Sequence, residues 1–460
     1  MAIVTLGVEP ASRLLSAPPP NWLAQWADFA ARTEYRDLPD EVVTRTRLVL
    51  LDSVGAIIAG MAEPELRAAV KRLPQVFGAS IGSSPLAQAF IGGTAGTMLE
   101  IDEGNQFARG HPGIHVIPAI IALGSNAEID GRTALLATAL GYEIGARIGI
   151  ASKLRVSMHP HGTWGTVGAA LAVAKLDNAS AGDITTAINL ASSLGLTTSR
   201  RTMLEGATVR NTYAGFSNML GIMAWQLTAS GFTGETDGVG AVYGDVAAQN
   251  WQPCDMTCEL GSRWEIARNY FKRHAACRYT HAALDALSEI RSRSGGTITA
   301  SEIESIQVDT YVWAAQLDNQ APTNQLAAKF SLPFTIATAI VNGRASLDAF
   351  RAEARSDAAT RALAAKVTVD EDPAFTALLP AARPARLRIR LKSGAVHEAT
   401  ASINKGDTEN PYTADEIIEK FREVTEPVIG AGRAQTLKQQ LLQIETLGSL
   451  RSIAELMEVQ

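Results

Sequence analysis

Strand-forming patterns occur in only one part of this chain, and this restriction limits its fold more than any other feature. From residue 21 to about residue 264, apolar residues recur at the three- and four-residue spacing of helices. Alternating or β-branched runs first appear at 303–312, and then at 366–369 and 387–403, where the last has the pattern of a hairpin. From residue 413 the pattern is helical again. The sequence therefore predicts a mostly α-helical protein with one region of mixed α and β structure.

Both ends of the chain are predicted to contribute to a single helical domain. We assign residues 1–268 and 405–460 to a large all-α domain, because their patterns are helical throughout. A smaller α+β domain is predicted at 269–404, inserted between these two parts. An independent sheet before residue 260 is not expected.

Composition indicates a soluble globular protein and excludes several classes of partner. Of the 460 residues, 46% are hydrophobic and 19% are charged, and the chain is long enough for two or three domains. The net charge is −6 without a block of Lys or Arg, so no nucleic-acid partner is predicted.

Prolines 18–20 interrupt the N-terminus, and the apolar stretches contain charges or small residues, so we predict neither a secretory signal nor a membrane span. Three Cys residues suit a reducing cytoplasm, where we expect this protein.

The stretch from residue 100 to residue 123 places charged side chains beside a helix start. Asp102 and Glu103 precede His111, which lies in a Gly-His-Pro-Gly turn, and an apolar helical pattern with Pro118 in its first turn follows. A helix N-terminus attracts carboxylates and lowers the pKa of a nearby His, so a neutral His111 beside an acid is suited to proton transfer. A turn that only caps a helix explains the same residues about equally well.

The His residues are grouped along the chain. Six of the seven fall in three close pairs: His111 with His115, His159 with His161, and His274 with His281. The second pair lies in a His-Pro-His-Gly turn before a Gly/Ala-rich helical pattern, which repeats the arrangement around residue 111. Such a helix start again offers backbone N–H groups to an anion. Each His alone is more often a structural hydrogen-bonding residue.

Cations precede the helix that is predicted from about residue 217. Arg200, Arg201 and Arg210 lie in this segment, and the planar guanidinium of Arg suits carboxylates. A solvated surface turn explains Arg200 and Arg201 equally well, but it fits Arg210 less well because Val and aromatic residues flank it.

Glycines recur every four residues in the helix predicted at 131–153. They are Gly141, Gly145 and Gly149. Because small residues at this spacing let helices approach closely, we interpret them as a packing feature.

Two other classes of protein remain open from the residues alone. A metal protein could use Cys254, Cys258, His274, Cys277 and His281, although their spacing matches no familiar zinc framework. A non-catalytic binding module is the second alternative. Metal analysis of the purified protein would separate the first from the others.

Several ordered motifs carry a resemblance that covers nearly the whole chain. They are Asp102 to Gly113, Gly141-Tyr-Glu143, His159-Pro-His-Gly-Thr163, Tyr213-Ala-Gly215, Lys272 to Asp285, Phe330-Ser-Leu-Pro333 and Lys405 to Pro411. With these motifs the chain resembles the MmgE/PrpD family, which includes 2-methylcitrate dehydratase, cis-aconitate decarboxylase and iminodisuccinate epimerase. The resemblance implies an all-α main domain, a smaller α+β lid domain with a cleft between them, a homodimer, and no metal or organic cofactor.

The resemblance also implies roles for individual residues. Asp102 matches the acidic active-site segment, His111 and His159 match the two His residues that follow in the family pattern, and His281 matches the His at the lid junction. We expect His111 and His159 to be the acid and the base in either order, Asp102 to orient a His, and His281 to shape or close the site. The predicted substrate-binding residues are Arg210, Lys272, Asn105, Thr163 and Tyr213.

Three positions depart from the dehydratase and decarboxylase pattern. The usual run of two acids and a Thr is here Asp102 to Asn105, with one extra residue before His111. Arg210 replaces a Lys, which keeps the cation but cannot act as a base. Phe334 replaces a Tyr, which removes a proton carrier.

The leading functional prediction is a cofactor-independent lyase that removes a proton α to a carboxylate of a small di- or tricarboxylate, as a dehydratase does. Cations on the carboxylate would stabilise the enolate-like charge while a base takes the proton. An epimerase of a dicarboxylate and a decarboxylase of a cis-aconitate-like acid are the alternatives. The identity of the acid stays open.

Overall fold

The computed structural model describes residues 18–77, 81–295 and 298–459. Helices dominate the first half of this part of the chain, as predicted. They are α1 Asn21–Arg32, α2 Asp40–Met61, α3 Pro64–Phe77, α4 Pro85–Met98, α5 Ile117–Gly124, α6 Gly131–Ala151, α7 Gly165–Leu176, α8 Ala181–Ser193, α9 Arg201–Glu205 and α10 Tyr213–Ala229.

Short helices and one sheet make up most of the region after residue 280. The helices are α11 His281–Ser294, α12 Val312–Ala315, α13 Gln325–Lys329, α14 Leu332–Asn342, α15 Ala352–Ser356, α16 Ala358–Ala364 and α17 Pro373–Thr376. The chain then returns to helix with α18 Ala414–Ile429, α19 Ala431–Leu442 and α20 Arg451–Met457. Single 3₁₀ turns join many of these elements, and Gly240–Val246 forms a π-helical turn.

The sheet after residue 300 has the strands that the sequence pattern predicted. Its strands are β3 Ile303–Thr310, β4 Val367–Glu371, β5 Ala385–Leu391 and β6 Val396–Ala401, in the order β4-β3-β5-β6. β4 is parallel to β3, whereas β3–β5 and β5–β6 are antiparallel. The last two strands form the predicted hairpin. The mostly α-helical fold class is therefore confirmed, and the arrangement of a lid domain stays a prediction.

The expectation that no sheet precedes residue 260 is wrong. β1 Ser152–Leu154 pairs antiparallel with β2 Ala248–Trp251 in a two-stranded sheet. Both strands are too short for an alternating pattern, and β1 directly follows the last turn of α6. The two strands pair because segments that are far apart in the sequence approach each other. The spacing of apolar residues along the chain does not predict such a contact.

Two helical sequence patterns of the mixed region do not form the continuous helices that they predict. The pattern at 327–341 is interrupted, because Ser331 Oγ accepts a hydrogen bond from Phe334 N and Pro333 lies in the first turn of α14. Ser331 therefore starts a second helix instead of continuing the first. The second helical pattern, at 347–355, forms a 3₁₀ turn at Asp348–Phe350 followed by the short α15.

The described residues form three hydrophobic clusters, of which the two larger ones meet near residue 100. The larger cluster combines the N-terminal helices with C-terminal residues such as Phe421 and Leu437. The second contains α11, α14 and the four-stranded sheet, together with Leu99 and Ile101. The segment after α4 therefore lies where the two clusters meet. The domain limits given above stay a prediction.

The glycines of α6 pack closely, as their spacing indicated. A Cβ on Gly141 would lie 2.6 Å from the carbonyl oxygen of Gly168 in α7, and one on Gly149 would lie 2.7 Å from the carbonyl oxygen of Ala108. Glycine at these positions lets α6 approach both α7 and the loop before residue 111. Within the described chain, α6 alone is long and apolar enough to cross a membrane, but 94% of its apolar window is buried, as in the core helix of a globular protein.

Candidate active site

The acidic segment between α4 and residue 113 is held by backbone contacts from distant parts of the chain. Glu100 has a φ of 56°, a left-handed conformation that is uncommon for residues other than glycine. Lys329 Nζ donates to the carbonyl oxygen of Leu99 at 2.9 Å, and Lys420 Nζ donates to that of Ile101. Two buried ammonium groups thus hold the backbone on either side of Glu100.

Asp102 and His111 form a buried pair. His111 Nδ1 lies 2.6 Å from Asp102 Oδ2, and the Asp102 side chain has no exposed surface. Burial alone would raise the pKa of Asp102, but His111 and Lys272 outweigh it and hold that pKa below its usual range. A carboxylate that stays ionised keeps the proton of His111 on Nδ1, so Nε2 is the nitrogen left to accept a proton.

Four His rings form one cluster beside this pair. The ring centroid of His161 lies 4.4 Å from that of His111, 5.0 Å from that of His115 and 4.9 Å from that of His159. His159 Nδ1 accepts a hydrogen bond from the backbone N–H of His161 at 3.1 Å, which places the proton of a neutral His159 on Nε2. The turns before α5 and α7 therefore meet through their His side chains.

Burial keeps these imidazoles neutral near neutral pH. It lowers the pKa of His111 below the usual value, although Asp102 acts in the opposite direction. Burial lowers the pKa of His115 to about 3 and, helped by Arg210, lowers those of His159 and His161 well below the usual value. Neutral imidazoles can accept protons from a substrate.

The two predicted carboxylate-binding cations already have acidic neighbours. The Arg210 guanidinium pairs with Glu100, donates to the carbonyl oxygen of Thr97 at 3.3 Å and lies over the Phe330 ring. Lys272 Nζ is fully buried, 3.5 Å from Asp102 Oδ1 and 3.8 Å from Glu100 Oε2. Lys272 therefore contacts the two carboxylates of the acidic segment and does not line the cavity described next.

A small cavity opens in front of the His cluster. Its volume is about 40 Å³, which is room for roughly three water molecules. The lining includes His111, His159, His161, Glu100 and Arg210. The structure thus brings three of the predicted site residues, His111, His159 and Arg210, to one cavity.

Further arginines surround this cavity. Arg109, Arg200, Arg278 and Arg383 all contribute to its lining. Arg278 pairs with Asp407 and contacts His281, whereas Arg383 donates to a backbone carbonyl. The cavity is therefore strongly electropositive.

Four of the five predicted substrate-binding residues are not among the lining residues of the cavity. They are Lys272, described above, and Asn105, Thr163 and Tyr213. The side chain of Asn105 bonds the carbonyl oxygen of Glu265 and the N–H groups of Phe107 and Ala108, each at 2.9 Å. Thr163 Oγ1 donates to the carbonyl oxygen of Pro160, and the Tyr213 ring lies 6.1 Å from that of His159. Asn105 and Thr163 hold the two His-bearing turns, and their part in substrate binding stays a prediction.

His281 and Phe334 lie farther from the reacting groups than predicted. His281 is buried at the start of α11, where its Nδ1 lies 3.0 Å from Arg278 Nη1, and only Arg278 reaches the cavity. Phe334 packs against Phe350 inside the second hydrophobic cluster. Phe330, four residues before Phe334, does line the cavity.

Sequence reasoning assigned no role in the site to three of its residues. Glu100 neutralises Arg210, and His161 lies at the centre of the His cluster. Glu103 is fully buried and accepts hydrogen bonds from Gly113 N, Tyr142 and Asn269. These bonds lower the pKa of Glu103, but burial has the larger effect and raises it to about 8. The closeness of His159 and His161 in the sequence could have indicated that His161 belongs to the site. Nothing in the local sequence distinguishes Glu100 from an acid on the surface.

The side chains of the metal alternative do not converge. Cys254 and Cys258 are exposed, whereas Cys277 is buried. In residues 18–77, 81–295 and 298–459, no group of three or more His, Cys, Asp or Glu side chains is placed to hold a metal ion.

Fold and site together define a mostly α-helical protein with buried titratable groups around an electropositive cavity. Models of the MmgE/PrpD N-terminal and C-terminal domains match residues 24–248 and 274–445, respectively. The chain belongs to the MmgE/PrpD family.

Two relatives are similar over nearly their full lengths. A cis-aconitate decarboxylase-like protein, oryM, of Aspergillus oryzae is 24% identical, with 96% of this chain and 98% of the relative covered. A cis-aconitate decarboxylase of Aspergillus terreus is 22% identical, with 95% of each chain covered.

Proposed function

We propose that this protein is a cofactor-independent lyase that removes a proton α to a carboxylate of a small polycarboxylic acid, in the manner of a dehydratase. The observation that carries the proposal is the His111–Asp102 pair, whose imidazole lines the cavity. A neutral imidazole held by a buried carboxylate is a suitable base for a carbon-bound proton.

In the proposed step, His111 Nε2 takes the proton from the carbon next to a carboxylate. The electron pair of the broken C–H bond moves into the carboxylate as an enolate, and the positive charge that forms on His111 is stabilised by Asp102. The enolate then expels a hydroxyl group from the adjacent carbon as a double bond forms. The hydroxyl leaves as water with a proton that comes from the His111 imidazolium directly, or from His159 Nε2, which the His111 imidazolium then reprotonates. Both imidazoles are neutral at the end of the step.

The two cations would support the step in different ways, Arg210 at the enolate and Lys272 at the base. Arg210 Nε is buried without a hydrogen-bond partner, so it can donate to a substrate carboxylate while another nitrogen of the same group pairs with Glu100. Lys272 would act through Asp102, keeping it ionised, because its ammonium group lies 3.5 Å from Oδ1.

Decarboxylation is the second candidate, favoured by the names of the two relatives. It would need loss of carbon dioxide and protonation of the resulting carbanion by one of the same His residues. Epimerisation would use one base on each face of the carbon, and both His111 and His159 line the cavity.

The test is incubation in D₂O with a panel of citrate-like, malate-like and amino-dicarboxylate acids, followed by proton NMR. Loss of an α-proton signal with a new olefinic product supports dehydration. Release of carbon dioxide indicates decarboxylation, and exchange with inversion indicates epimerisation. Absence of deuterium exchange with every acid, in a folded protein, would refute the proposal.

A further inference from the structure

Tyr270 lies beside the proposed base, although the proposed proton transfer does not involve it. It lines the cavity in front of the His cluster, and its ring stands at 86° to that of His111, with the ring centroids 6.4 Å apart. The backbone of Tyr270 exchanges two hydrogen bonds with that of Gly104, of 2.7 and 3.1 Å. Tyr270 is therefore fixed to the acidic segment that carries Asp102.

The hydroxyl group of Tyr270 has no hydrogen-bond partner in the part of the chain that the structure describes. In the same part of the chain, Tyr243 and Tyr311 also carry buried hydroxyl groups without a partner, but these two are shielded from solvent and that of Tyr270 is not. Tyr270 as a whole is only 4% exposed and lines the cavity, so the cavity is the space that its hydroxyl group faces. An unused donor in this position is available to a molecule in the cavity.

Glycine at position 104 makes room for this hydroxyl group. A Cβ on Gly104 would lie 2.4 Å from Tyr270 Oη, closer than atoms that are not bonded to each other approach. The Arg278 guanidinium carbon lies 4.6 Å from the centroid of the Tyr270 ring, and such a cation–π contact fixes the orientation of the ring. The hydroxyl group is thus held against the segment between Asp102 and His111.

The hydroxyl group of Tyr270 keeps its proton at neutral and moderately alkaline pH. Burial raises its pKa well above the usual value and outweighs Arg383 and Arg278, whose charges lower it. A hydroxyl group that does not ionise acts as a donor and not as a base. Such donors stabilise negative charge that develops on oxygen in a site from which water is excluded.

We infer that Tyr270 is a further catalytic residue, whose hydroxyl group donates a hydrogen bond to the enolate oxygen that forms when His111 takes the α-proton. This inference rests on the proposed function and deepens it. The enolate charge develops on the carboxylate next to the carbon that His111 deprotonates, which is the side of the cavity where Tyr270 lies. The phenol keeps its proton throughout, so the proton balance of the step is unchanged. Phe334 offers no such donor, because it has no hydroxyl group and packs against Phe350.

Tyr270→Phe tests this role, because it removes one oxygen atom and keeps the ring. On any acid whose α-proton the intact protein exchanges for deuterium, kcat should fall by roughly 10²–10³-fold, as when one donor is removed from an oxyanion hole. KM should change little, because the enolate exists only after substrate has bound. Near-full kcat in Tyr270→Phe would overturn the inference.

Two other tyrosines serve as comparisons. Tyr243→Phe is the matched control, since it removes the same atom from a buried ring that does not line the cavity, and it should keep the kcat of the intact protein. Tyr279 is the second tyrosine that lines the cavity. A loss confined to Tyr279→Phe would assign the donor to Tyr279 and overturn the role of Tyr270.

Binding of an enolate mimic tests the hydrogen bond without turnover. The probe is 3-nitropropionate in its ionised nitronate form, whose charged oxygens resemble those of an enolate, and succinate is the comparison with an ordinary carboxylate. Calorimetry would be done at a pH at which the nitronate forms and the Tyr270 phenol is still protonated. We expect Tyr270→Phe to weaken nitronate binding at least about tenfold, the value of one hydrogen bond to a charged group, and to weaken succinate binding far less.

Equal nitronate affinity in the intact protein and in folded Tyr270→Phe would overturn the inference. If Tyr270→Phe does not fold, 3-fluorotyrosine at position 270 replaces it: the more acidic phenol should bind the nitronate more tightly than the intact protein does, and unchanged affinity would overturn the inference. Neither binding result depends on deuterium exchange by the intact protein, which decides the proposed lyase reaction separately. Failure of the inference and failure of the proposed function are therefore distinguishable.

Discussion

Asp102 and His111 illustrate how burial and a single neighbour set the chemistry of a side chain. Burial lowers the pKa of His111, whereas Asp102 raises it and fixes which nitrogen carries the proton. His159 lacks a carboxylate partner among the described residues and is held through its Nδ1 by a backbone N–H group. The two imidazoles therefore differ in basicity although both line one cavity.

Replacement of either cavity-lining His should remove proton transfer. We expect His111→Ala and His159→Ala each to lower kcat by roughly two to four orders of magnitude, with little change in thermal stability. His274→Ala is the control, because His274 lines a separate cavity of about 530 Å³. Near-full turnover in both variants on the true substrate would mean that the two His residues only support the turns.

The acid limb of the pH profile should lie below the usual pKa of His. Because burial lowers the pKa of His111, kcat/KM should stay level from pH 7 down to below about 6.5. Asp102→Asn removes the charge that raises this pKa, so the limb should move to still lower pH and kcat should fall, by less than in His111→Ala. A limb that moves to higher pH in Asp102→Asn would contradict the assignment of the base.

The four-residue stretch from Leu99 to Asp102 is the element on which the site depends. Its backbone is anchored by lysines from α13 and α18, and its carboxylates face Lys272 and Arg210. These contacts stabilise the left-handed conformation of Glu100, which a free segment would avoid.

Lys420 should be required for both stability and geometry. It pairs with the buried Asp52, so Lys420→Met leaves an uncompensated carboxylate and should cost about 3–5 kcal/mol in the free energy of unfolding. The double variant Asp52→Leu/Lys420→Met should recover most of this loss in chemical denaturation. Its kcat should stay low, because Ile101 still lacks its donor. Full recovery of kcat in the double variant would show that this anchor does not position Asp102.

A methyl group added at the contact between α6 and α7 should lower the stability of the fold. Gly141→Ala would bring Cβ to 2.6 Å from the carbonyl oxygen of Gly168, and such overpacking costs typically about 1–3 kcal/mol. Gly182→Ala is the matched control, since its Cβ would meet only Ser180 Oγ, at 3.7 Å. Thermal denaturation of both should show a lower Tm for the first variant alone; equal Tm values would contradict the packing interpretation.

At the scale of the whole molecule, the site lies where two hydrophobic clusters meet. Leu99 and Ile101 belong to the cluster that contains the sheet, whereas Phe271 and Phe421 belong to the larger helical cluster. A lid domain of the kind that the family resemblance implies would therefore contact the helical domain at the site.

The protein is predicted to be a homodimer, as the family resemblance implies. Light scattering of the purified protein at micromolar concentration should give a mass about twice the 48.8 kDa of one chain. Dilution tenfold should leave that mass unchanged if the interface is a stable one. A mass of one chain at micromolar concentration would contradict the prediction.

The sequence by itself determined the features that depend on near neighbours. Helical spacing, the glycine face of α6 and the hairpin all followed from local patterns and are present in the structure. The turns that carry His111 and His159 also lie before α5 and α7, where the Gly and Pro residues placed them.

Only the tertiary structure decided which side chains meet. The pairing of Arg210 with Glu100, the central position of His161 and the β1–β2 sheet each join residues that are about 45 to 110 positions apart. It also left His281 outside the cavity and placed Arg383 in it. The spacing of apolar residues indicates which face of a helix or strand is buried. Contacts between distant residues depend on how the helices and strands pack, because packing decides which charged groups are buried next to each other.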